Sequence, residues 1–451
     1  MNQPVKRKRI PYGMMNFIDV REDDCYYVDK THYIPLIENA NKYFFYIRPR
    51  RFGKSLTISM LRHYYNILEA DKFKKWYGDL YIGKHPTPER NSYLIIYLNF
   101  AVVNAELNSY RQSLDAHCNT EFNFFCDVYA QYLPEGIKEE MNKKKGAVEQ
   151  LDYLYKECVK TNQQIYLFID EYDHFTNKIL SEPACLEDYK SETHGTGYLR
   201  SFFDTVKAGT DSTIKRCFVT GVSPVTMDDL TSGFNIGWNI STDHRFNMML
   251  GFSETDVRTM FNYYKEVGKL PADADIDAMI QEMKPWYDNY CFAEESLGHD
   301  PKIFNCDMVL YYLRNYMTLG KSPKEMIDPN TRTDYNKMKR LIQLDKLDGN
   351  RKGVLRKITE EGQIVTNLIT TFPATQIANP EIFPSLLFYY GMLTITAKRG
   401  NYLVLSIPNN NVRKQYYEFL LEEYQDKRHI NLNDLGLMFY DMAYDGHWRE
   451  S

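Results

Sequence analysis

A chain of 451 residues is too long for one compact core, so two or three domains are expected. Hydrophobic residues at 43% and charged residues at 25% exclude a disordered or fibrous protein. The net charge of −5 excludes the overall basic character of a constitutive nucleic-acid binder, although it leaves room for a local basic patch.

Only the start, Lys6-Arg7-Lys8-Arg9, is densely basic, and its plain reading is a solvated tail, ahead of an address signal or a nucleic-acid arm. Eight cysteines lie scattered without CxxC spacing, and no Cys/His cluster resembles a zinc site, so reduced, packed thiols are expected. No apolar stretch approaches the ~20 residues that span a bilayer. The expectation is a cytoplasmic protein without a membrane partner.

Along the chain, residues 1–40 mix turn signals with apolar residues and read as an N-terminal strap. Its Ile10–Phe17 segment either packs on a base or straps the core. The run Tyr43-Phe44-Phe45-Tyr46-Ile47 reads as a buried strand, and a helical pattern follows from Lys54 to about Leu68. Further strand runs come at Tyr93–Phe100, Ile165–Ile169 and Cys217–Val219, separated by helical periodicity. Strands alternating with helices predict an α/β core over 41–251, with a parallel sheet covered on both faces. Beyond that the pattern turns helical, giving a lid over 252–300 and a helical, winged-helix-like domain over 301–425. In the latter, Met392–Thr396 and Tyr402–Ile407 bracket Lys398-Arg399-Gly400-Asn401 as a β-hairpin.

Between the first strand and its helix lies Arg48-Pro49-Arg50-Arg51-Phe52-Gly53-Lys54-Ser55-Leu56. A helix N-terminus there offers unpaired N–H groups and a positive dipole end to phosphate oxygens. Gly53 would let the backbone approach them, Lys54 would reach the β- and γ-phosphates, and the Ser55 hydroxyl would ligate Mg²⁺. The usual loop has a second glycine five positions before Gly53, where this chain has Arg48. The three loop arginines, Arg48, Arg50 and Arg51, are either solvated charges or forks onto phosphate or a carboxylate.

The second half of the site is Ile165-Tyr166-Leu167-Phe168-Ile169-Asp170-Glu171, an apolar strand that ends in two carboxylates. Open α/β sheets bind ligands at that edge. Asp170 would hold Mg²⁺ and Glu171 would polarise the attacking water, the two motifs converging from adjacent strand ends. Acidic residues there otherwise cap a helix, and Asp173 reads as structural. At the end of the next strand, Thr220 and Ser223 either sense the γ-phosphate or form a plain turn. Arg245 is either an arginine finger or half of a structural ion pair, and Trp286-Tyr287-Asp288 is core packing sooner than base stacking.

The order Pro11-x-Gly13-x-x-x-Phe17, Tyr27-Val28-Asp29-Lys30-Thr31, Arg48–Leu56, Ile169–Asp173 and Thr220–Ser223 resembles the bacterial AAA-ATPase-like family. Gly251–Glu254, Trp286–Tyr290 and Leu386–Ile395 continue the resemblance over about residues 10–425. It implies a P-loop ATPase with ATP and Mg²⁺ as cofactors, and it makes the missing glycine a family trait. It also implies a C-terminal nuclease domain of the PD-(D/E)xK type in many members. Here residues 426–451 form a tail toward the place where that domain would start. Asp188-x-Lys190 and Asp300-x-Lys302 fit its tripeptide only by chance, so no nuclease site is expected. Two residues depart from the family pattern, Asn289 at a usual glycine and Cys291 at a usual basic residue. The activity expected is Mg-dependent ATP binding and hydrolysis driving a conformational switch, in defence or DNA-related work with a DNA or protein partner. The alternatives are a nucleotide-gated scaffold that barely hydrolyses, or a DNA-binding module acting through Lys398, Arg399, Arg413 and Lys414.

Overall fold

The computed structural model describes residues 7–103, 107–174, 197–225, 236–299, 302–329, 351–372, 376 and 379–428. Five parallel strands form its central sheet: β1 (Tyr43–Ile47), β2 (Leu94–Asn99), β3 (Ile165–Asp170), β4 (Ile214–Gly221) and β5 (Trp238–Asn239). Their order is β2-β3-β4-β1-β5. All six residues of β3 are buried, which is why that strand reads as a continuous apolar run. At the edge, β2 alternates buried and half-buried positions, because only one of its faces is fully covered. Four long helices, Lys54–Tyr65, Leu107–Val128, Gly146–Lys160 and Tyr198–Thr210, make the crossovers and coverings that parallel strands need.

The strand order corrects one expectation. Strand β4 lies between β1 and β3, with Phe45 level with Val219 and Ile169 level with Val219 on the other side. The strands carrying Gly53-Lys54-Ser55 and Asp170-Glu171 are therefore two places apart, and the Lys54–Tyr65 helix bridges the gap across the end of β4.

Helices Glu254–Glu266, Ile276–Tyr287 and Cys306–Leu319 enclose a second apolar cluster that includes Val257, Phe261, Ile280, Met283, Val309 and Leu313. A capping box between Ser253 and Asp256 starts the first of them. The third helix shares this cluster through Met308, Val309, Leu310, Tyr312 and Leu313. Ile10, Tyr12 and Tyr26 of the strap pack on the same cluster, while Phe17 and Ile34 belong to the core of the sheet.

The C-terminal part is helix Arg351–Glu361, β6 (Gln363–Thr366), helix Phe383–Tyr389, a β7–β8 hairpin (Thr394–Arg399, Tyr402–Ser406) and helix Asn410–Arg428. Its antiparallel sheet runs β6-β8-β7. The expected hairpin is present, and its turn is shorter than the bracketed loop, with Arg399 paired to Tyr402 across Gly400-Asn401. Phe383, Leu386, Leu387 and Phe388 continue the apolar core of the central sheet without a break. Among the described residues no helix is long and apolar enough to cross a membrane.

Candidate functional site

Strand β1 delivers the chain to a loop, residues 48–53, whose form depends on two left-handed residues. Arg51 has φ of 67° and Gly53 has φ of 93°. A Cβ on Gly53 would meet only Cys306 Sγ, at 3.9 Å, so its backbone angle rather than crowding calls for glycine. Gly53 then caps the Lys54–Tyr65 helix, whose N-terminus faces the C-terminal edge of the sheet.

Ser55 Oγ donates to Asp170 Oδ2 at 3.0 Å, which joins residues 115 positions apart. The other oxygen of Asp170, Oδ1, accepts from the Glu171 backbone N–H at 2.9 Å. Asp170 is 1% exposed. Burial first, and the neighbouring Glu171 charge second, push its carboxyl up to about 6. Lys54 folds back on its own loop and donates to the carbonyls of Arg48 and Pro49, each at 3.0 Å. Burial lowers the pKa of its ammonium, against the pull of Glu171 and Asp170.

Beside these groups lies a cavity of about 420 Å³, within the range of small-molecule sites. Its polar end is formed by Arg50, Gly53, Lys54, Ser55 and Glu171. Its apolar end is formed by Pro11, Met14, Tyr26, Leu250, Met260 and Leu310, drawn from the strap, the end of the core and the lid. Of the two readings of Ile10–Phe17, the structure therefore favours a wall of the cavity for 11–15, with Phe17 packed in the core.

Several expected contacts fall elsewhere. Arg48 turns away from the cavity and is 1% exposed. Its guanidinium donates to the carbonyls of Ile47 (2.9 Å), Ser241 (2.6 Å) and Phe246 (3.2 Å), and stacks between the rings of Tyr46 and Phe292. A cation so placed is a structural tie, not a phosphate fork. Arg51 reaches a carboxylate instead, donating from Nη1 to Asp307 Oδ2 at 2.8 Å on the third lid helix. Pro49 lies against Gly391. The Phe52 ring is buried edge-on against Tyr290 and Phe292, although the residue still borders the cavity, as does Leu56.

Thr220 and Ser223 are also corrected. Thr220 Oγ1 donates to the Tyr46 carbonyl at 2.6 Å, and Ser223 is fully buried, its Oγ accepting from Val225 N–H at 3.1 Å. Neither lines the cavity. Asp173 is structural, accepting from the N–H groups of Val222 and Ser223. Arg245 pairs with Asp243 at 2.5 Å, and Tyr287 packs in the lid core. Asn289 keeps the turn that a glycine would make, at φ of 77°. Lys398 pairs with Glu294, and Lys414 lies 3.9 Å from Glu325, so neither is idle. Asp188, Lys190 and Asp300 lie outside the described residues. Among the described residues no group of three or more His, Cys, Asp or Glu gathers as a metal site, and all seven described cysteines are free.

Sequence reasoning gave no part in the site to Lys30, Met249, Leu250 or Gly251. Lys30 pairs with Asp256 at 2.6 Å, linking strap to lid across the cavity wall. At Gly251, φ is 81° and an added Cβ would strike Ile303 Cγ2 at 2.3 Å, so the glycine permits the lid to close onto Phe52. Both glycine and strap had quotable motifs, but no local pattern tells which cavity they wall.

Residues 11–231 match the model of the AAA-ATPase-like family, described as a predicted AAA-ATPase. An uncharacterized protein of the vnfD 5′ region of Azotobacter chroococcum mcd 1 is 26% identical over 296 residues, which is 65% of this chain and 50% of that protein. The chain thus spans about half the length of that relative. Among solved structures, Cdc6p from Pyrobaculum aerophilum aligns over 94% of this chain and 97% of its own, at 12% identity and a TM-score of 0.30. The Aeropyrum pernix ORC2 protein, solved in ADPNP–ADP complexes, aligns over 88% and 93%, at 12% identity and a TM-score of 0.36. The Aeropyrum pernix ORC1 protein in complex with DNA aligns over 94% and 96%, at 11% and 0.31.

Proposed function

We propose that this chain, whose residues 11–231 match the predicted AAA-ATPase model, binds Mg·ATP in the 420 Å³ cavity and hydrolyses it slowly to switch conformation. The observation that carries this reading is the 3.0 Å hydrogen bond between Ser55 and Asp170. It brings a hydroxyl and a buried carboxylate, both hard oxygen donors of the kind Mg²⁺ takes, to one point beside a helix N-terminus.

Ser55 and Asp170 would hold Mg²⁺, which when bound neutralises charge on the phosphate oxygens. The helix N-terminus at Gly53–Ser55 presents N–H groups to phosphate. Lys54 would exchange its two carbonyl partners for phosphate oxygens, adding a charge-assisted contact. Glu171 lines the cavity, leaves β3 at φ of 52°, and would orient and polarise the attacking water. The apolar end, with two methionines and a tyrosine, suits the faces of an adenine ring. The seven free thiols among the described residues fit a cytoplasmic setting.

Lys54→Ala is expected to abolish Mg·ATP binding measured by calorimetry, and Glu171→Gln to keep binding while stopping phosphate release. Normal affinity in the Lys54 variant would refute the site. A second reading, a nucleotide-gated scaffold that hydrolyses little, is favoured by the turning away of Thr220 and Ser223 at the end of β4, which leaves no hydroxyl from either to read the γ-phosphate. Steady-state phosphate release from the purified wild-type chain separates the two. Work on DNA or in defence remains a proposal that rests on the family.

A further inference from the structure

We propose that a basic groove between the strap and the lid binds the phosphate backbone of a nucleic-acid strand. The groove has a volume of about 560 Å³ and is lined by Arg7, Lys8, Arg9, Tyr12, Lys269 and Arg314, among others. Lys8 and Arg9 are held by their backbone. Lys8 N–H donates to Tyr263 Oη at 2.8 Å, Arg9 N–H to the Asp24 carbonyl at 3.1 Å, and Tyr264 Oη to the Arg9 carbonyl at 3.0 Å. These bonds fix the backbone opposite the lid helix that carries Arg314.

Charge makes the groove unusual in a chain of net −5. Arg9 has a partner in Asp23 at 3.2 Å. Arg7, Lys8, Lys269 and Arg314 have no carboxylate within ion-pair distance among the described residues, and Arg314 lies over the Tyr12 ring at 5.1 Å. Four uncompensated cations held around one groove repel each other, and a polyanion is what relieves that repulsion. A nucleic-acid strand places a charge every 3.4 Å along a line, and the guanidinium forks match phosphate oxygens in shape. An acidic peptide lacks that fixed repeat, since its carboxylates sit on flexible side chains that alternate in direction along an extended chain.

The test is binding of the full-length protein to labelled single-stranded DNA and to labelled duplex DNA across a salt series, with tripolyphosphate as a third ligand. Four phosphate contacts predict a slope of log K against log salt of about −3, from roughly −0.7 to −0.9 per contact. Arg7→Gln/Lys269→Gln, both at exposed positions, is expected to flatten the slope by about 1.5 and to weaken binding several-fold. Arg7→Lys/Arg314→Lys keeps the charge and is expected to keep the slope. Unchanged circular dichroism and Mg·ATP affinity in the Gln variant show that it folds. Binding of either strand form with these responses supports the proposal, and the form bound identifies the source of the phosphates. No DNA binding by the wild type, an unchanged slope in the Gln variant, or binding of tripolyphosphate alone would overturn it.

Discussion

Replacing Asp170 by Asn should make the nucleotide-free protein more stable while erasing its response to Mg·ATP. The carboxyl is 1% exposed, and burial with the Glu171 charge lifts it from 3.8 to about 6 despite Lys54, Ser55 and the Glu171 N–H. A folded-state pKa above the unfolded one means that the folded chain holds the proton more tightly. The stability contributed is therefore complete below about pH 4 and is lost as the pH rises through about 6. Above that, the buried carboxylate is a net cost of about 2 pKa units, on the order of 3 kcal/mol. Asn keeps the shape, can accept from the Glu171 N–H and can donate to Ser55 Oγ, but carries no charge. Urea unfolding near neutral pH without metal should show Asp170→Asn more stable by about 2–3 kcal/mol, with the gap closing toward pH 4. Adding Mg·ATP at about a hundred times its Kd should stabilise the wild type by about 2.7 kcal/mol and the variant not at all. A variant no more stable than the wild type at neutral pH would refute the claim that a desolvated carboxylate is held there for a ligand.

The loop's outer contacts give two more predictions. In Gly391→Val the new side chain starts at φ of 76° and only 2.9 Å from Pro49 Cβ and Cγ, so strain of about 1–3 kcal/mol must move the loop or the C-terminal part. Calorimetry should show Mg·ATP affinity reduced about tenfold with circular dichroism unchanged, and an unaltered affinity would uncouple the two. Arg48→Met keeps the stem but removes the guanidinium donor from the carbonyls of Ile47, Ser241 and Phe246, of which Phe246 keeps Tyr46 Oη at 2.8 Å, at about 1–3 kcal/mol for each group left unsatisfied. Net destabilisation of about 2–4 kcal/mol in urea is expected after relief of the buried charge, and a variant as stable as wild type would show the guanidinium to be idle.

Much of this was legible in the sequence because burial on both faces leaves a mark. The runs Tyr43–Ile47 and Ile165–Ile169 are apolar without alternation, and both became strands with almost every position buried. Gly-Lys-Ser and Asp-Glu were readable because each follows such a run. Strand β5 was not readable, because two residues carry no period, and its Trp238 is 59% exposed. The direction of Arg48 was hidden for another reason. A guanidinium is read as solvated or phosphate-bound, and nothing local shows that Ser241, Phe246 and Phe292 arrive from far along the chain to cage it. The same holds for Thr220, whose hydroxyl is taken by a neighbouring strand's carbonyl rather than by the cavity.

The arginine in place of the usual loop glycine changes what the loop is attached to. A glycine at residue 48 would end its influence at the backbone. Arg48 instead ties the loop to Ser241 and Phe246 at the end of the core and to the ring of Phe292. Its neighbours extend the ties, with Pro49 against Gly391, the Arg51 side chain on Asp307 and the Arg51 carbonyl accepting from Cys306 Sγ at 3.1 Å. Lys54 holds the carbonyls of Arg48 and Pro49, the two residues that reach farthest outward. A phosphate that drew the Lys54 ammonium away would release those two carbonyls together. The loop could then shift only by moving the lid helix and the C-terminal part with it, because both are packed too closely to deform in place. On the proposed reading, loading of the cavity would therefore be felt in the lid, through Asp307, and in the C-terminal part, through Gly391.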